Sequence, residues 1–341
     1  KEQILSDALK SQKEHEMSSK WFLRRLFSSI AVLAAVLVLN FLLFRIMPGD
    51  AVSTIIDPSF SPEAKELLRE LYGLDKPLKE QFFIYIKQML TFKFGLSFLS
   101  RRPVWEELLS RLPSTLILMS LSMFFSSVLG IWLGIKAALN RGKKLEKLVL
   151  RLGAITASFP GFFVQLVLLM LLARTFPLFP LRGSLSVPPP TEATAIVIDY
   201  IWHMALPVIS LTLMGFGGWA LYVRNLMVRV LGEDYVLMAR ARGLSEKRVV
   251  YGHSFRTILP PILTILLMSV PGLVSGTVIT ESVFSLYGIG TFLLEAVSGH
   301  DYPSAGAAFY LLALITIISN LFADIIYGLA DPRVRIEGKN Q

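Results

Sequence analysis

The sequence predicts an all-α membrane protein with six transmembrane helices and a small helical external segment between the first two. Of its 341 residues, 53% are hydrophobic and only 17% are charged, and the mean hydropathy is +0.58. A soluble protein of this composition would expose far too much apolar surface to water. Long apolar segments recur along the chain, and about 20 such residues suffice for an α-helix to cross a bilayer.

Six segments meet this criterion, and we predict one transmembrane helix for each. In chain order they are Leu26–Met47, Ser114–Ala138, Val149–Arg174, His203–Val223, Ile258–Ile279 and Ser304–Leu329. The first is too long for the core of a signal peptide and lacks a small-residue cleavage site, so we expect a retained helix. Residues 1–25 and 331–341 are predicted to be polar tails.

The distribution of Lys and Arg predicts the orientation of these helices. Basic residues concentrate in the two tails and in the loops Asn140–Leu148 and Arg224–Arg256, whereas the short loops on the other side carry only Arg182. Cytoplasmic loops are enriched in Lys and Arg. We therefore expect both termini and these two loops to be cytoplasmic.

The segment 48–113 between the first two helices is predicted to fold outside the membrane. Its sequence indicates three short helices, at Glu63–Tyr72, Leu78–Phe92 and Val104–Leu112. At the start of the first, a serine is the predicted N-cap and is followed by a proline, which suits the first position of a helix. The third leads into the five-helix core, residues 114–330.

Several functional classes are disfavoured by composition. The chain has no cysteine and only four histidines, which are isolated from one another, so neither a thiolate nor a metal site is expected. The net charge of +9 is not gathered into an aromatic-rich basic patch, which argues against nucleic-acid binding. The sequence lacks the Gly-x-x-x-x-Gly-Lys-Ser/Thr pattern that binds nucleotide phosphates.

Small residues mark two places where helices can approach closely, Gly130-x-x-x-Gly134 and Gly272-x-x-x-Gly276. In the fifth predicted helix they form a narrow face beside Pro271. This face consists of Ser269, Gly272, Ser275, Gly276 and Ile279. It could line a passage through the membrane or pack against another helix, and the sequence favours neither.

The loop 224–256 is charged and rich in helix formers, although two strongly apolar segments flank it. Asp234–Arg242 is predicted to be a short helix, and Gly243-Leu244-Ser245 a turn whose serine caps a second helix. Glu233, Asp234, Arg240 and Arg242 are the charges best placed to pair with a partner. On physical grounds alone, an amphipathic loop on lipid headgroups is an equal alternative.

The residues from Ala239 to Val249, followed by His253-Ser254-Phe255-Arg256, closely resemble the EAA-type coupling motif of permease subunits of ATP-binding-cassette (ABC) importers, in the form found in dipeptide and oligopeptide permeases. Further family motifs stand in the family's order along Trp21–Arg335. They include Arg45-x-x-Pro48-Gly49-Asp50, Arg111-Leu112-Pro113-Ser114-Thr115-Leu116, Glu281-Ser282-Val283-Phe284, Gly288-Ile289-Gly290 and Asp331-Pro332-Arg333.

This resemblance implies a type I importer fold and a non-catalytic permease in a bacterial or archaeal plasma membrane. It also implies a second related permease, two cytosolic ATPases that bind ATP and Mg²⁺, and an external solute-binding protein. The ATPase-coupling residues would be Glu233, Asp234, Ala239, Arg240, Ala241, Arg242, Gly243, Leu244 and Ser245. No cofactor is expected in this chain itself.

Two other classes remain as alternatives. A secondary transporter would show an inverted repeat with interrupted helices, and no such repeat is evident. An intramembrane hydrolase needs a nucleophile within reach of a base. Ser210 or Ser269 with His203 is the arrangement that such a hydrolase would use.

Overall fold

The computed structural model describes residues 23–43 and 76–330, in which helices make up nearly all the regular secondary structure and no strand occurs. The α-helices in chain order are α1 (Leu23–Leu43), α2 (Leu78–Leu90), α3 (Val104–Leu139), α4 (Lys144–Ser158), α5 (Gly161–Leu168), α6 (Ala193–Val230), α7 (Asp234–Ala241), α8 (Phe255–Phe284), α9 (Ile289–Ser298) and α10 (Tyr302–Ala330). Two π-helical turns, Leu169–Thr175 and Arg248–Ser254, extend α5 and precede α8. The all-α fold class is therefore confirmed.

Among the described residues, α1, α3, α6 and α10 are each long and apolar enough to cross a membrane. Two bent helix pairs, α4 with α5 and the end of α8 with α9, raise the number to six if each pair counts as one span. The helix predicted at Val149–Arg174 is therefore not straight: its two parts meet at 104°. Pro160 explains the break, because proline donates no backbone hydrogen bond and keeps the preceding Phe159 extended (φ −91°, ψ 142°).

The centre of the bundle is the crossing of α3 and α6, where Gly130 and Gly134 lie against α6. A Cβ on Gly130 would overlap Trp219 and lie 2.8 Å from the carbonyl oxygen of Phe216, and one on Gly134 would lie 2.7 Å from that of Ala220. The first small-residue pattern thus serves packing within the chain. The second differs, because no atom of the described residues lies within 4 Å of the Cβ position of Gly272 or Gly276.

Two apolar clusters define the ends of the bundle. At one end, which we call the α9 end, Leu37 of α1 and Val104 of α3 pack with α2, α9 and the start of α10. At the other, the α7 end, the last turns of α3 and α6 pack with α7 and the start of α8. Because α3 runs from one cluster to the other, the two ends lie on opposite sides of the bundle.

Helices α1 and α10 are joined at both ends. Asn40 donates to the carbonyl oxygen of Gly306 (2.9 Å) near the α9 end, and Arg25 pairs with Asp324 (3.0 Å) at the opposite end. The start of α1 and the last turns of α10 therefore lie on the same side as α7. Asp324 anchors a helix pair rather than standing alone in the bundle.

The predicted external segment is partly described. The helix expected at Glu63–Tyr72 lies outside the described residues, whereas α2 begins where the second helix was predicted to begin and ends at Leu90 instead of Phe92. The third predicted helix is not separate: it forms the beginning of α3, which continues through Pro113. The buried Asp301, just before α10, accepts a hydrogen bond from Ser97 (2.5 Å) and ties the α2–α3 connection to the bundle.

Candidate functional site

Helix α7 has well-defined ends. The carbonyl oxygen of Glu233 accepts hydrogen bonds from the amides of Val236 (3.0 Å) and Leu237 (3.2 Å), so α7 begins directly after Glu233. At its end Gly243 adopts φ +77°. The amide of Gly243 donates to the carbonyl oxygen of Arg240 (2.9 Å), and the amide of Leu244 donates to the carbonyl oxygen of Ala239 (3.3 Å). This double closure is the Schellman arrangement, in which a residue of positive φ ends a helix.

The two faces of α7 differ sharply. Val236 is fully buried and Ala239 is 7% exposed, and both belong to the cluster at the α7 end. On the other face Tyr235, Leu237 and Met238 are 43%, 51% and 60% exposed. The helix is therefore fixed to the bundle by one side, while an apolar surface flanked by charges lies on the other.

The charges beside this face are only partly available to a partner. Arg240, expected from the sequence to pair across an interface, instead donates to Glu246 within the chain, with 2.8 Å between Nε and Oε1. Glu246 was absent from the predicted site and closes the turn between α7 and the next helix. Glu233, Asp234 and Arg242 are exposed, as are Ala241 and Ser245.

The helix after the turn begins differently from the prediction. The carbonyl oxygen of Ser245, rather than its hydroxyl, accepts the first hydrogen bonds, from Arg248 (2.8 Å) and Val249 (3.0 Å). The π-helical turn Arg248–Ser254 then leads into α8, which continues through Pro260-Pro261 to Phe284. Residues 233–248, predicted to couple the chain to an ATPase and called the coupling segment below, are thus continuous with α8.

A partly buried ion pair that the sequence did not reveal supports the end of α6. Glu146 of α4 is 5% exposed; it accepts from Nε of Arg224 (2.8 Å) and from the amide of Gly142 (2.6 Å). One carboxylate therefore joins the loop before α4 to the helix that leads into the coupling segment. A separation of 78 residues between Glu146 and Arg224 left no local signal for this pair.

The residues considered for a passage lie on an open face of α8. Ser269 is half-buried and donates to the carbonyl oxygen of Ile265 in its own helix (2.7 Å), and Ile279 is 50% exposed. Among the described residues, none reaches within 4 Å of the Cβ positions of Gly272 and Gly276. The side chain of Ser275 lies outside the described part. An open face is compatible both with a passage and with a partner helix, so both interpretations stand.

The hydrolase alternative finds no support in the geometry. Ser210 donates to the carbonyl oxygen of Pro207 (2.7 Å), and Ser269 likewise bonds within its own helix. Nδ1 of His203 lies 2.8 Å from the carbonyl oxygen of Asp199. Within residues 23–43 and 76–330, no group of three or more His, Cys, Asp or Glu side chains is arranged to hold a metal ion.

Comparison with known families decides the class. Residues 126–336 match the model described as "Binding-protein-dependent transport system inner membrane component", and residues 18–119 match the model of the N-terminal part of such membrane components. The chain belongs to this family. It is a multi-pass membrane protein and the non-catalytic permease subunit of an ABC importer, which excludes the secondary-transporter alternative.

Curated relatives match along nearly their whole length. The chain is 36% identical to the di/tripeptide permease DppB of Pseudomonas aeruginosa over 331 residues, which cover 92% of this chain and 97% of the relative. It is 33% identical to the dipeptide permease DppB of Escherichia coli K12 (93% and 98% covered). It is 31% identical to the oligopeptide permease AppB of Bacillus subtilis (92% and 98% covered).

Proposed function

We propose that this permease imports dipeptides, oligopeptides or similarly sized solutes across a bacterial or archaeal plasma membrane. The names of the relatives support this cargo, since they describe di/tripeptide, dipeptide and oligopeptide permeases. A fourth relative, from Salmonella paratyphi A, is a glutathione permease and 34% identical. Glutathione is itself a small peptide.

The permease works with partners that supply what the chain lacks. A second related permease completes the translocation pathway, an external binding protein delivers the cargo, and two cytosolic ATPases bind ATP and Mg²⁺. No phosphate-binding loop of the Gly-x-x-x-x-Gly-Lys-Ser/Thr type occurs in the sequence. ATP hydrolysis therefore takes place outside this chain.

The two-faced character of α7 is the observation that carries the coupling role. Its exposed face, with Leu237 and Met238, is suited to enter a groove on an ATPase, and its buried face belongs to a single apolar cluster with residues of α3, α6 and α8. Closely packed interiors transmit a displacement instead of absorbing it. Closure of the ATPases would move the coupling segment as a rigid body, tilting these helices and switching the cavity between inward- and outward-facing.

The orientation that this mechanism needs is testable by cysteine labelling. The chain contains no cysteine, so one introduced at Glu66 or at Arg242 reports a single position. We expect Glu66→Cys to react with an impermeant maleimide from the outside of the cell membrane, and Arg242→Cys only after permeabilisation. The opposite pattern would place the coupling segment outside and exclude the mechanism.

Charge reversal tests whether the coupling segment holds the ATPase. We expect the double variant Glu233→Lys with Asp234→Lys to retain less ATPase on purification, by on the order of tenfold at low salt, because exposed ion pairs contribute up to about 1 kcal/mol each. The difference should shrink as salt rises, since exposed charges are screened. The measurement is the molar ratio of ATPase to permease after affinity purification at two salt concentrations.

The matched control is the double variant Glu80→Lys with Glu192→Lys. It changes the net charge equally, and both glutamates are exposed at positions distant in sequence from α7. Equal ATPase retention by the two double variants would move the docking surface away from Glu233 and Asp234.

A further inference from the structure

A fully buried carboxyl group lies near the end of α8 that is remote from the coupling segment. Glu281 has no exposed surface. Its Oε1 accepts a hydrogen bond from the hydroxyl of Thr115 on α3 (2.7 Å), and its Oε2 accepts from the amides of Gly290 (2.7 Å) and Thr291 (3.2 Å) on α9. One side chain thus joins three helices.

The same cluster satisfies the first turn of α9 completely. The hydroxyl of Thr115, while donating to Glu281, accepts from the amide of Ile289 (2.9 Å). The first three amides of α9 therefore bond to side chains of α3 and α8. The first amides of a helix have no partner within the helix, and its N-terminus favours negative charge, so this arrangement fixes where α9 starts and which helices it contacts.

Two glycines leave the space that the carboxyl group occupies. A Cβ on Gly288 would overlap the carboxyl of Glu281, and one on Gly290 would lie 2.6 Å from Cα of Val278 and 2.9 Å from Oε2 of Glu281. The backbone of α9 can therefore approach α8 only without side chains at these positions. This contact explains why glycine stands at both ends of the sequence Gly288-Ile289-Gly290.

Helix α8 connects this cluster to the coupling segment. Ile258 and Ile262, near its start, are buried in the apolar cluster that also holds α7. From Ile258 to Glu281 the helix rises by roughly 35 Å at 1.5 Å per residue. Beyond Glu281 the chain turns, and the last part of α8 meets α9 at 77°. If movement of α7 tilts α8, the other end of α8 is displaced at the bend between α8 and α9, where Glu281 lies.

We propose that Glu281 is a positioning residue for transport: it binds α3, α8 and α9 into one corner, so that the movement of α8 opens or closes the α9 end of the pathway. The inference rests on the proposed function of the coupling segment as the input of that movement. Without the hydrogen bonds of Glu281, ATP hydrolysis would continue, but the movement of α8 would no longer displace α9.

Geometry rather than charge should decide the effect of substitutions. Glu281→Asp keeps the charge but withdraws the carboxylate by one methylene from Thr115 and Gly290. Glu281→Gln keeps the length: its amide oxygen can accept from Gly290 and Thr291, and its amino group can donate to the oxygen of Thr115. We therefore expect Gln to preserve coupling better than Asp, the opposite of the order that a role for charge predicts.

The experiment measures peptide import and ATP hydrolysis by the complete transporter in proteoliposomes. For Glu281→Asp we expect assembly and hydrolysis to persist and import per ATP to fall about tenfold, within the range of substitutions in coupled networks. Thr115→Val should also lower the amount of peptide imported per ATP hydrolysed. The control Glu295→Asp removes the same methylene from an exposed carboxylate of α9, which pairs with Arg111 (3.1 Å), and should leave the ratio unchanged.

Other outcomes would contradict either this proposal or the proposed function on which it rests. Import and hydrolysis that fall in parallel with assembly would indicate a purely structural residue, and so would Gln performing no better than Asp. If Glu281→Asp fails to assemble, Thr115→Val decides, and an unchanged ratio in that variant contradicts the proposal. Normal coupling in a Gly243→Val transporter together with uncoupling by Glu281→Asp would instead refute the input role of the coupling segment.

Discussion

Gly130→Leu is expected to reduce the folded permease in the membrane to a small fraction of the unsubstituted level. The added side chain would begin at a Cβ that overlaps Trp219 and lies 2.8 Å from the carbonyl oxygen of Phe216, so α3 and α6 must separate at their crossing. Overpacking a close-packed interior typically costs about 1–3 kcal/mol and occasionally more. Because backbone atoms cannot move aside as a flexible side chain can, we expect the cost at Gly130 to lie at the high end of this range. Accumulation and thermal stability of the detergent-solubilised chain are the measurements.

Gly276→Leu is the matched control, because it makes the same change in a similar small-residue pattern. Within residues 23–43 and 76–330, no atom lies within 4 Å of the Cβ position of Gly276, so the chain should fold and accumulate normally. If the open face of α8 lines the passage, the assembled transporter will hydrolyse ATP without importing. Loss of the second permease on purification would assign this face to packing between permeases. Normal accumulation of Gly130→Leu, or equal loss of both variants, would contradict the assignment of the two patterns.

The comparison of these two patterns shows where prediction from sequence stops. Both have the spacing of close-packing glycines, yet only Gly130 and Gly134 face a neighbouring helix in the described structure. Helical periodicity fixes which residues share a face, but not which face another helix covers. That information lies in contacts between distant parts of the chain.

The candidate site shows the same division. The short helix at Asp234 and the turn at Gly243 follow from local preferences, so the sequence predicted them closely. Two interactions depend on pairs far apart in sequence, Glu146 with Arg224 and Glu281 with Thr115, which are separated by 78 and 166 residues. No local sequence pattern predicts which residues form such pairs. The bend at Pro160 is intermediate, since a proline favours a break in a helix, but the sequence does not give the angle of 104° between the two parts.

Gly243→Val is expected to leave a folded, assembled transporter that hydrolyses ATP but imports little peptide. At φ +77° a non-glycine residue costs roughly 1–2 kcal/mol, and a β-branched one is least tolerated there. In the part of the chain that the structure describes, no atom lies within 4 Å of the Cβ position of Gly243, so the strain acts on the backbone alone. Relaxing it requires a new turn, which would redirect α7 relative to α8.

Gly243→Asn is the matched control for this prediction. Asparagine adds a side chain of similar size but tolerates the left-handed conformation at the end of a helix. We therefore expect it to retain most of the import activity. Equal impairment by Asn and Val would mean that the added bulk, and not the turn, disturbs the contact with the ATPase.

The ratio of peptide imported to ATP hydrolysed, measured in proteoliposomes that contain the complete transporter, tests most directly whether the coupling segment transmits the work of hydrolysis. We expect the ratio to fall about tenfold for Gly243→Val, as when a coupling free energy of 1–3 kcal/mol is lost. For Gly243→Asn we expect a ratio within about twofold of that of the unsubstituted protein. A ratio for Gly243→Val equal to that of the unsubstituted protein would contradict the coupling role of this segment.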